Sequence, residues 1–262
     1  MKENSTNEER TAEYQKRFNL ERLLKSLVNH ESPVIFDVGA NEGVTISEFK
    51  EWWPHSTIHC FEPQKECWAK LDKAAACYPR SIFVNKMGVG AENSSGLNFY
   101  SHSIVANNAT GKSGFHKINT ESKDSIRLSE LKDTDDELSS YKGSLNHIRT
   151  VPLIALADYI EEQNIETINL LKIDTQGHEP EVLCGMRDHL KRVDVVISEL
   201  MFYDFYERSL SFSDIEQYLL PAGFQLYDIS HISKNPMNGR TDWVDVIYYK
   251  APNLKINSNK II

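Results

Sequence analysis

The chain has 262 residues, of which 40% are hydrophobic and 26% are charged. This is the balance of an ordinary globular protein, and the length suffices for one large α/β domain. The formal net charge is −9, and the chain has no dense run of lysine and arginine. We therefore expect no nucleic acid partner, because the neutralisation of phosphates supplies most of the affinity in such complexes.

The hydropathy pattern and the cysteines predict a cytoplasmic protein. Residues 1–17 are polar and lack the apolar stretch of a secretory signal. No run of about 18 apolar residues occurs, so we expect no membrane-spanning helix. The four cysteines form no CxxC pair, and reduced thiols in the core of a cytosolic protein explain them better than a zinc site or a disulfide.

The chain alternates predicted strands and helices. Residues 1–32 are predicted to be an N-terminal helical extension, because apolar residues recur at helical spacing before Pro33. Beyond it, short apolar runs alternate with amphipathic segments, the pattern of βαβ units around a parallel sheet. The predicted strands are 34–38, 57–61, 81–85, 168–174, 193–200, 224–229 and 243–249. The predicted helices are 45–53, 64–77, 153–162, 179–190 and 213–220.

The stretch from about residue 90 to 150 interrupts this alternation. It is rich in small and polar residues, and only residues 97–100 are predicted as a short strand. A loop of this length inside a compact domain is typically a lid or a binding insertion. We predict one domain over residues 33–250 with this insertion after the third strand, followed by a C-terminal tail at 251–262. The helix near residue 213 is predicted to start with a capping box of Ser213 and Glu216.

A glycine-containing turn follows the first predicted strand. Asp37 ends that strand, and Gly39, Ala40, Asn41 and Gly43 lead into a helix. The glycines allow a tight turn, and the helix N-terminus offers N–H groups to an anionic group. The spacing differs from the GxGxxG of dinucleotide sites, so a nicotinamide cofactor is disfavoured. The alternative is a strand-to-helix turn that binds no ligand.

An acidic residue, Glu62, ends the second predicted strand, about 20 residues after the glycine turn. A carboxylate at this place suits hydrogen bonds from the two hydroxyls of a ribose. The alternative is an exposed residue before a helix. We favour the ribose contact, because the glycine turn and Glu62 end successive strands of one predicted sheet.

Three motifs together resemble the FkbM family of S-adenosylmethionine-dependent methyltransferases. They are FDVGANEG at 36–43, FEP at 61–63 and LKIDTQGHE at 171–179. The resemblance implies a class I methyltransferase fold, which is a Rossmann-like α/β fold with a mostly parallel seven-stranded sheet and helices on both faces. It also implies O-methylation of a hydroxyl on a sugar, a polysaccharide precursor or a glycosylated natural product.

The resemblance also implies the cofactor residues. Residues 37–43 would surround the amino acid part of S-adenosylmethionine, and Glu62 would bind its ribose. Asn85, at the end of the third strand, would lie near the adenine, although a strand-ending asparagine in a turn is an equal alternative. Family members commonly carry glutamate where this chain has Gln176, so one potential acid is missing.

The motif at 171–179 supplies the candidate catalytic residues. Lys172 and Asp174 share one face of a strand, and His178 and Glu179 begin the next helix. Methyl transfer depends largely on the placement of the two reactants, but an alcohol needs a base or a metal to remove its proton. We rank Asp174 and Glu179 above His178 as the base. A buried ion pair of Lys172 with Asp174 is the structural alternative.

A divalent metal is a second hypothesis for the same region, since Asp174 and Glu199 end adjacent strands and offer oxygen ligands. The aromatic stretch at 201–206 is predicted either to contact the acceptor or to pack within a helix, and Arg240 is a candidate for an anionic group on the acceptor. A small-molecule or glycan acceptor is therefore expected, and a homodimer is possible. The rival functions are a nicotinamide-dependent Rossmann enzyme and a non-catalytic module that binds S-adenosylmethionine or a partner.

Overall fold

The structure is a computed structural model that describes residues 6–17, 19–102, 109–122, 139–140, 142–236 and 238–250. The predicted C-terminal tail and part of the predicted insertion lie outside these residues. The helices are α1 (Asn7–Arg17), α2 (Leu20–Val28), α3 (Val44–Trp52), α4 (Lys65–Ala76), α5 (Leu156–Glu162), α6 (Glu179–Met186) and α7 (Phe212–Leu219). The strands are β1 (Val34–Val38), β2 (Thr57–Phe61), β3 (Ile82–Asn85), β4 (Gly88–Val89), β5 (Ser94–Ser101), β6 (His147–Ile154), β7 (Ile168–Ile173), β8 (Val193–Met201), β9 (Phe224–Lys234) and β10 (Thr241–Lys250).

Seven strands form the central sheet in the order β3-β2-β1-β7-β8-β10-β9. Neighbours from β3 to β8 are parallel, whereas β10 runs antiparallel to both β8 and β9. The carboxyl ends of β1, β2, β3 and β7 therefore meet along one edge. The predicted α/β fold with a mostly parallel seven-stranded sheet is confirmed.

Apolar side chains cover both faces of this sheet. On one face Phe36 and Leu171 belong to a core that includes residues of α5, α6 and α7. On the other face Ile35 and Leu170 belong to a core with α2, α3 and α4. Successive residues of a strand point to opposite faces, so the apolar runs of β1 and β7 serve both cores at once.

A second, three-stranded sheet has the order β4-β6-β5. Strand β5 and the first half of β6 belong to the region predicted as an insertion, whereas β4 and the end of β6 lie just outside it. Strand β5 is longer than the predicted 97–100. Leu153 lies in β6, and the helix that we predicted from residue 153 begins at Leu156. Pro152 falls where β5 shifts register between Ser94 and Leu97, a place at which the missing proline N–H leaves the ladder intact.

Several helices and strands begin or end at residues other than the predicted ones. The capping box at α7 is formed by Ser211 and Asp214 rather than by Ser213 and Glu216. Helix α6 ends at Met186, and a 3₁₀ helix at Arg187–Arg192 follows it. Strand β9 continues to Lys234, five residues beyond its predicted end.

In the part of the chain that the structure describes, no helix combines the length and the apolar character needed to cross a membrane. The four cysteines all lie among the described residues, and they form no disulfide bond with one another. Cys60 and Cys67 are buried, but Cys77 and Cys184 are exposed, so the expectation of core thiols holds for two of the four.

Candidate functional site

The turn after β1 lies in close contact with the loop after β7. Gly39, Asn41 and Gly43 have positive φ angles of 87°, 47° and 84°. A Cβ atom at Gly39 would lie 1.9 Å from the backbone oxygen of Asp174. Only glycine fits there, so the predicted requirement for a tight turn is explained by backbone packing against the loop after β7.

Glu62 is buried at the end of β2, with 5% of its surface exposed. Its Oε2 accepts a hydrogen bond from the backbone N–H of Asn41 at 2.7 Å, and its Oε1 accepts one from Gln64 at 2.6 Å. Burial raises the pKa of Glu62 to about 7, although these two hydrogen bonds oppose the shift. A carboxylate has about four acceptor positions, so two remain for a bound molecule.

A solvent-accessible cleft opens at the carboxyl ends of β1, β2 and β7. Its lining combines the loops after those strands with β4 and with residues 111 and 113–115 of the insertion region. Four predicted site residues line it, namely Gly39, Asn41, Glu62 and Asp174. The other predicted site residues lie outside the lining: Asp37, Ala40, Gly43, Asn85, Lys172, His178, Glu179 and Glu199.

Asp37, Lys172 and Asp174 form a row of alternating charges beneath the cleft. The Nζ of Lys172 lies 3.4 Å from Oδ1 of Asp37 and 3.4 Å from Oδ2 of Asp174. Burial raises the pKa of Asp37, and Lys172 counteracts part of that rise. Burial alone would lower the pKa of Lys172, but the two carboxylates raise it above its ordinary value. The positive charge of Lys172 thus lies between the two carboxylates and orients Asp174, which is compatible with either the ion pair or the catalytic role that we considered.

Glu179 holds the turn that follows Asp174. Its Oε1 accepts hydrogen bonds from the backbone N–H and the hydroxyl of Thr175, at 2.8 and 2.9 Å, and from the N–H of Gly177 at 3.3 Å. Glu179 is 1% exposed, and among the described residues its Oε2 has no hydrogen-bond partner. Burial raises the pKa of Glu179 to about 7. This geometry favours a positioning role for Glu179.

Gln176 joins the two carboxylates that we considered as metal ligands. Its Nε2 donates to Oδ1 of Asp174 and to Oε2 of Glu199, each at 2.9 Å. The hydroxyl of Tyr206 donates to Oε1 of Gln176 at 2.8 Å, which fixes the amide. Burial and the nearby Asp174 raise the pKa of Glu199 well above its usual range. An amide between Asp174 and Glu199 favours a hydrogen-bonded pair there over a cation site.

Asn85 and His178 lie beside the cleft without lining it. The side-chain amide of Asn85 donates to the backbone oxygen of Cys60 and to the hydroxyl of Tyr159, so the adenine contact stays a prediction. His178 precedes α6 and is 5% exposed. It is buried rather than a surface residue, and burial lowers its pKa to about 4.

Sequence reasoning missed the contribution of residues 111–115. Gly114 pairs with Tyr100 through two backbone hydrogen bonds, and this pairing sets Phe115 against the cleft. Phe115 also contacts the ring of His178, with ring centroids 4.4 Å apart. The glycines in this otherwise irregular stretch were the available signal, since Gly111 and Gly114 allow backbone to approach the cleft.

The aromatic stretch after β8 packs against the insertion region instead of lining the cleft. Phe205 and Tyr206 share a small core with Ile118 and Leu145, and no helix forms between residues 202 and 211. The predicted helix is therefore wrong, whereas contact of this stretch with the acceptor stays a prediction. Arg240 lies 3.6 Å from Asp204 and 3.9 Å from Asp242, so its charge is balanced within the protein.

Comparison with known proteins identifies the family. A model described as "Methyltransferase FkbM domain" matches residues 37–226. The chain is 24% identical to 2-O-methyltransferase NoeI of Sinorhizobium fredii over 77% of this chain and 76% of that protein. It is 31% identical to 31-O-demethyl-FK506 methyltransferase FkbM of Streptomyces tacrolimicus, over 64% and 65% of the two chains. Hexuronic acid methyltransferase AglP of Haloferax volcanii is 27% identical over 65% of this chain and 56% of its own length.

Among solved structures, the precorrin-6y C5,15-methyltransferase of Geobacter metallireducens matches 88% of this chain and 87% of its own, with a TM-score of 0.41 and 10% identity. That likeness is too distant to bear on function. The family model spans well over half of the sequence and includes both the glycine turn and the 171–179 motif. The chain therefore belongs to the FkbM family and is an S-adenosylmethionine-dependent methyltransferase.

Proposed function

We propose that this protein transfers a methyl group from S-adenosylmethionine to a hydroxyl oxygen of a sugar or a glycosylated small molecule. The names of the relatives support the reaction: two specify O-methylation or an O-demethyl substrate, and a third specifies a hexuronic acid. The same fold serves many substrates, so the acceptor class rests on these relatives. The observation that carries the cofactor assignment is the buried carboxylate of Glu62, which lines the cleft and retains free acceptor positions.

The cleft fits the proposed cofactor. Its lining combines the backbone of the glycine turn with the buried carboxylate of Glu62, and the cofactor would offer its amino acid part and its ribose to these groups. Gly39 and Asn41 would border the amino acid part, and Glu62 would accept hydrogen bonds from the ribose hydroxyls. Asp37, Ala40 and Gly43 would act indirectly by shaping the turn, because they do not line the cleft. S-adenosylmethionine supplies an electrophilic methyl group on a positively charged sulfur.

We propose Asp174 as the base that takes the proton of the acceptor hydroxyl. It is the one predicted catalytic residue in the cleft lining, and its carboxylate is oriented by Lys172 and Gln176. A positioned base of this kind typically contributes about 10²–10⁴-fold to the rate. Glu179 would support it by fixing the turn from Thr175 to Gly177. No metal enters this proposal, because the Gln176 amide lies between Asp174 and Glu199.

We further propose a small-molecule or glycan acceptor rather than a nucleic acid, and a cytoplasmic location. The net charge of −9 supports the first point, since binding to a polyanion depends on basic residues. The lack of a disulfide bond among the four cysteines supports the second, since thiols persist in reducing compartments.

The first test is calorimetric titration of the purified chain with S-adenosylmethionine and, separately, with NAD⁺. We expect binding of the former in the micromolar range and none of the latter. Glu62→Ala should weaken binding by more than about tenfold, which corresponds to about 1.4 kcal/mol. Glu48→Ala is the matched control, since Glu48 is an exposed glutamate on α3. A well-folded wild-type chain that does not bind S-adenosylmethionine would overturn the proposal.

The second test addresses the acceptor. Tritium transfer from labelled S-adenosylmethionine is measured on a hexuronic acid glycoside, a neutral hexoside, a macrolide alcohol and transfer RNA. Methylation of any of the first three supports the proposed class. Transfer to RNA alone would replace it with a nucleic acid substrate.

A further inference from the structure

A cluster of two histidines and a glutamate lies behind the wall of the cleft. His116 belongs to the insertion region, His178 precedes α6, and Glu181 lies in the first turn of α6. One potential ligand atom from each residue lies within 4.8 Å of the others. Imidazole nitrogens and a carboxylate oxygen form the donor set of many zinc and first-row transition metal sites. None of the three residues lines the cleft.

Three buried polar atoms of this cluster have no hydrogen-bond partner within the described part of the chain. Neither ring nitrogen of His178 has a hydrogen-bond partner there, and neither has Oε2 of Glu181. Leaving such groups unpaired in a protein interior costs free energy. A group that binds them would remove that cost.

The distance between two of these atoms indicates what the group is. The Nδ1 of His178 lies 3.5 Å from Oε2 of Glu181. This is longer than an ordinary N–H···O hydrogen bond, about 2.7–3.2 Å. Two ligand atoms that each lie about 2.0–2.1 Å from a tetrahedral zinc ion are separated by about 3.4 Å. The pair is therefore spaced for sharing a cation rather than for bonding to each other.

The surrounding contacts resemble the outer shell of a metal site. His116 forms a hydrogen bond with the backbone of Gly177, and Oε1 of Glu181 accepts one from Arg208 at 2.6 Å. Histidines that bind metals commonly donate their other ring N–H to a backbone carbonyl, and ligating carboxylates are themselves hydrogen-bonded. The Oε2 of Glu181 remains directed at His178.

We propose that His116, His178 and Glu181 bind one divalent transition metal ion of the zinc type. The ion would join the insertion region to the start of α6, and it would act as a structural tie beside the cleft. His178 also packs on Phe115, so the tie would fix a wall of the cleft. This proposal does not depend on the identity of the cofactor or of the acceptor.

The positive charge of Arg208 allows a test of whether a cation binds in this cluster. Its Nη1 lies 3.5 Å from Nε2 of His116, so its positive charge opposes a cation in the cluster. Arg208→Gln keeps a donor for Oε1 of Glu181 but removes the charge.

The experiment is equilibrium dialysis of the full chain, without a histidine tag, against buffered free Zn²⁺, with metal quantified by mass spectrometry. Substituted Co²⁺ is followed by its visible absorption. We expect one ion per chain at micromolar or lower free zinc, and tetrahedral-type Co²⁺ bands. His116→Ala should weaken binding at least tenfold, and Arg208→Gln should strengthen it at least threefold. His116 is half-buried, so its removal is compatible with folding, which circular dichroism checks.

His189→Ala is the matched control, because His189 is also buried and bonded to a glutamate but lies outside the cluster. It should bind zinc as the wild type does. Binding of less than about 0.2 zinc ions per wild-type chain would overturn the proposal. So would equal affinity of the wild type and His116→Ala, or an affinity that Arg208→Gln leaves unchanged.

Discussion

The Oε1 of Glu179 accepts a hydrogen bond from the backbone N–H of Thr175 at 2.8 Å, four residues back along the chain. The same oxygen also accepts from Gly177. A side chain that belongs to a helix thus closes the turn that presents Asp174 and Gln176 to the cleft. Glu179 therefore shapes the site without lining the cleft, whereas Asp174 and Gln176 line it.

Replacing Glu179 distinguishes the two roles. Glu179→Ala should destabilise the fold by about 2–4 kcal/mol, because it leaves buried N–H groups without an acceptor. Glu179→Gln keeps an acceptor oxygen for Thr175 and should retain kcat within about threefold. Chemical denaturation and steady-state methyl transfer measure the two effects. A loss of kcat of about a hundredfold or more in a stable Glu179→Gln protein would make Glu179 the base and contradict the positioning role.

The amide of Gln176 offers a test of the charge balance at Asp174 and Glu199. In Gln176→Glu a third carboxylate replaces the donor that both carboxylates share. We expect a loss of stability of about 1–3 kcal/mol at pH 8, with partial recovery in millimolar Mg²⁺. Thermal and urea denaturation measure it. Gln176→Met is the control, since it removes the same hydrogen bonds without adding charge.

In that comparison the Glu variant should be the less stable of the two, and only its stability should respond to Mg²⁺. Equal stability of the two variants would show that the carboxylates do not repel a third charge.

The sequence was sufficient to predict the glycine turn and Glu62, and the reason is topological. Parallel strands place their carboxyl ends along one edge, so polar residues after successive strands converge wherever the strands are correctly identified. Gly39 and Glu62 converge in this way, and both line the cleft. The sequence did not predict why position 39 requires glycine. A side chain there would collide with the backbone of Asp174.

The contribution of the insertion region could not be predicted in the same way. Residues 111–115 reach the cleft through pairing of Gly114 with Tyr100, a contact that no hydrophobic periodicity encodes. The segment around Leu153 was assigned to the wrong element because a short apolar run fits either a strand or a helix. Pairing with β4 and β5 decides it. The burial of Glu179 could not be predicted either, since a glutamate in the first turn of a helix usually faces solvent.

Asp174→Asn tests the proposed base. We expect kcat to fall by about 10²–10⁴-fold, whereas the dissociation constant for S-adenosylmethionine should change less than about threefold. Initial rates with an acceptor that the wild type methylates, and calorimetry, measure the two quantities. Asp188→Asn, at an exposed aspartate, should leave both unchanged. If Asp174→Asn retains kcat within tenfold, placement alone carries the reaction and the assignment fails.

The raised pKa of Glu62 predicts a pH dependence of stability. Because the folded-state pKa of about 7 exceeds the ordinary value of 4.5, the folded protein holds the proton more tightly between these values. The stabilisation is complete below about pH 4.5 and is lost as the pH rises through about 7. It amounts to about 3 kcal/mol. Glu62→Gln, which stays neutral, should therefore gain stability relative to the wild type as the pH rises from 5 to 8.

The test is the difference in the free energy of unfolding between the wild type and Glu62→Gln. The pH dependence of the wild type alone is not sufficient, because His59 and His102 change the stability with pH in the opposite direction. Burial lowers the pKa of each to about 4, so each destabilises the fold as the pH falls from about 6.5 to 4. Urea denaturation at pH 5 and at pH 8 gives the four free energies of unfolding. A difference between the two proteins that does not change with pH would show that Glu62 titrates normally.

The same group links cofactor binding to proton release. If the ribose hydroxyls donate to the ionised carboxylate of Glu62, binding must lower its pKa from about 7. Affinity for S-adenosylmethionine should then fall as the pH drops below 7, by up to tenfold per pH unit. Calorimetry at pH 6.5 in two buffers of different ionisation enthalpy should detect release of a substantial fraction of one proton. Glu62→Gln should release none, because it has no proton to lose; equal release by both proteins would place the titrating group elsewhere and remove the ribose contact from the proposal.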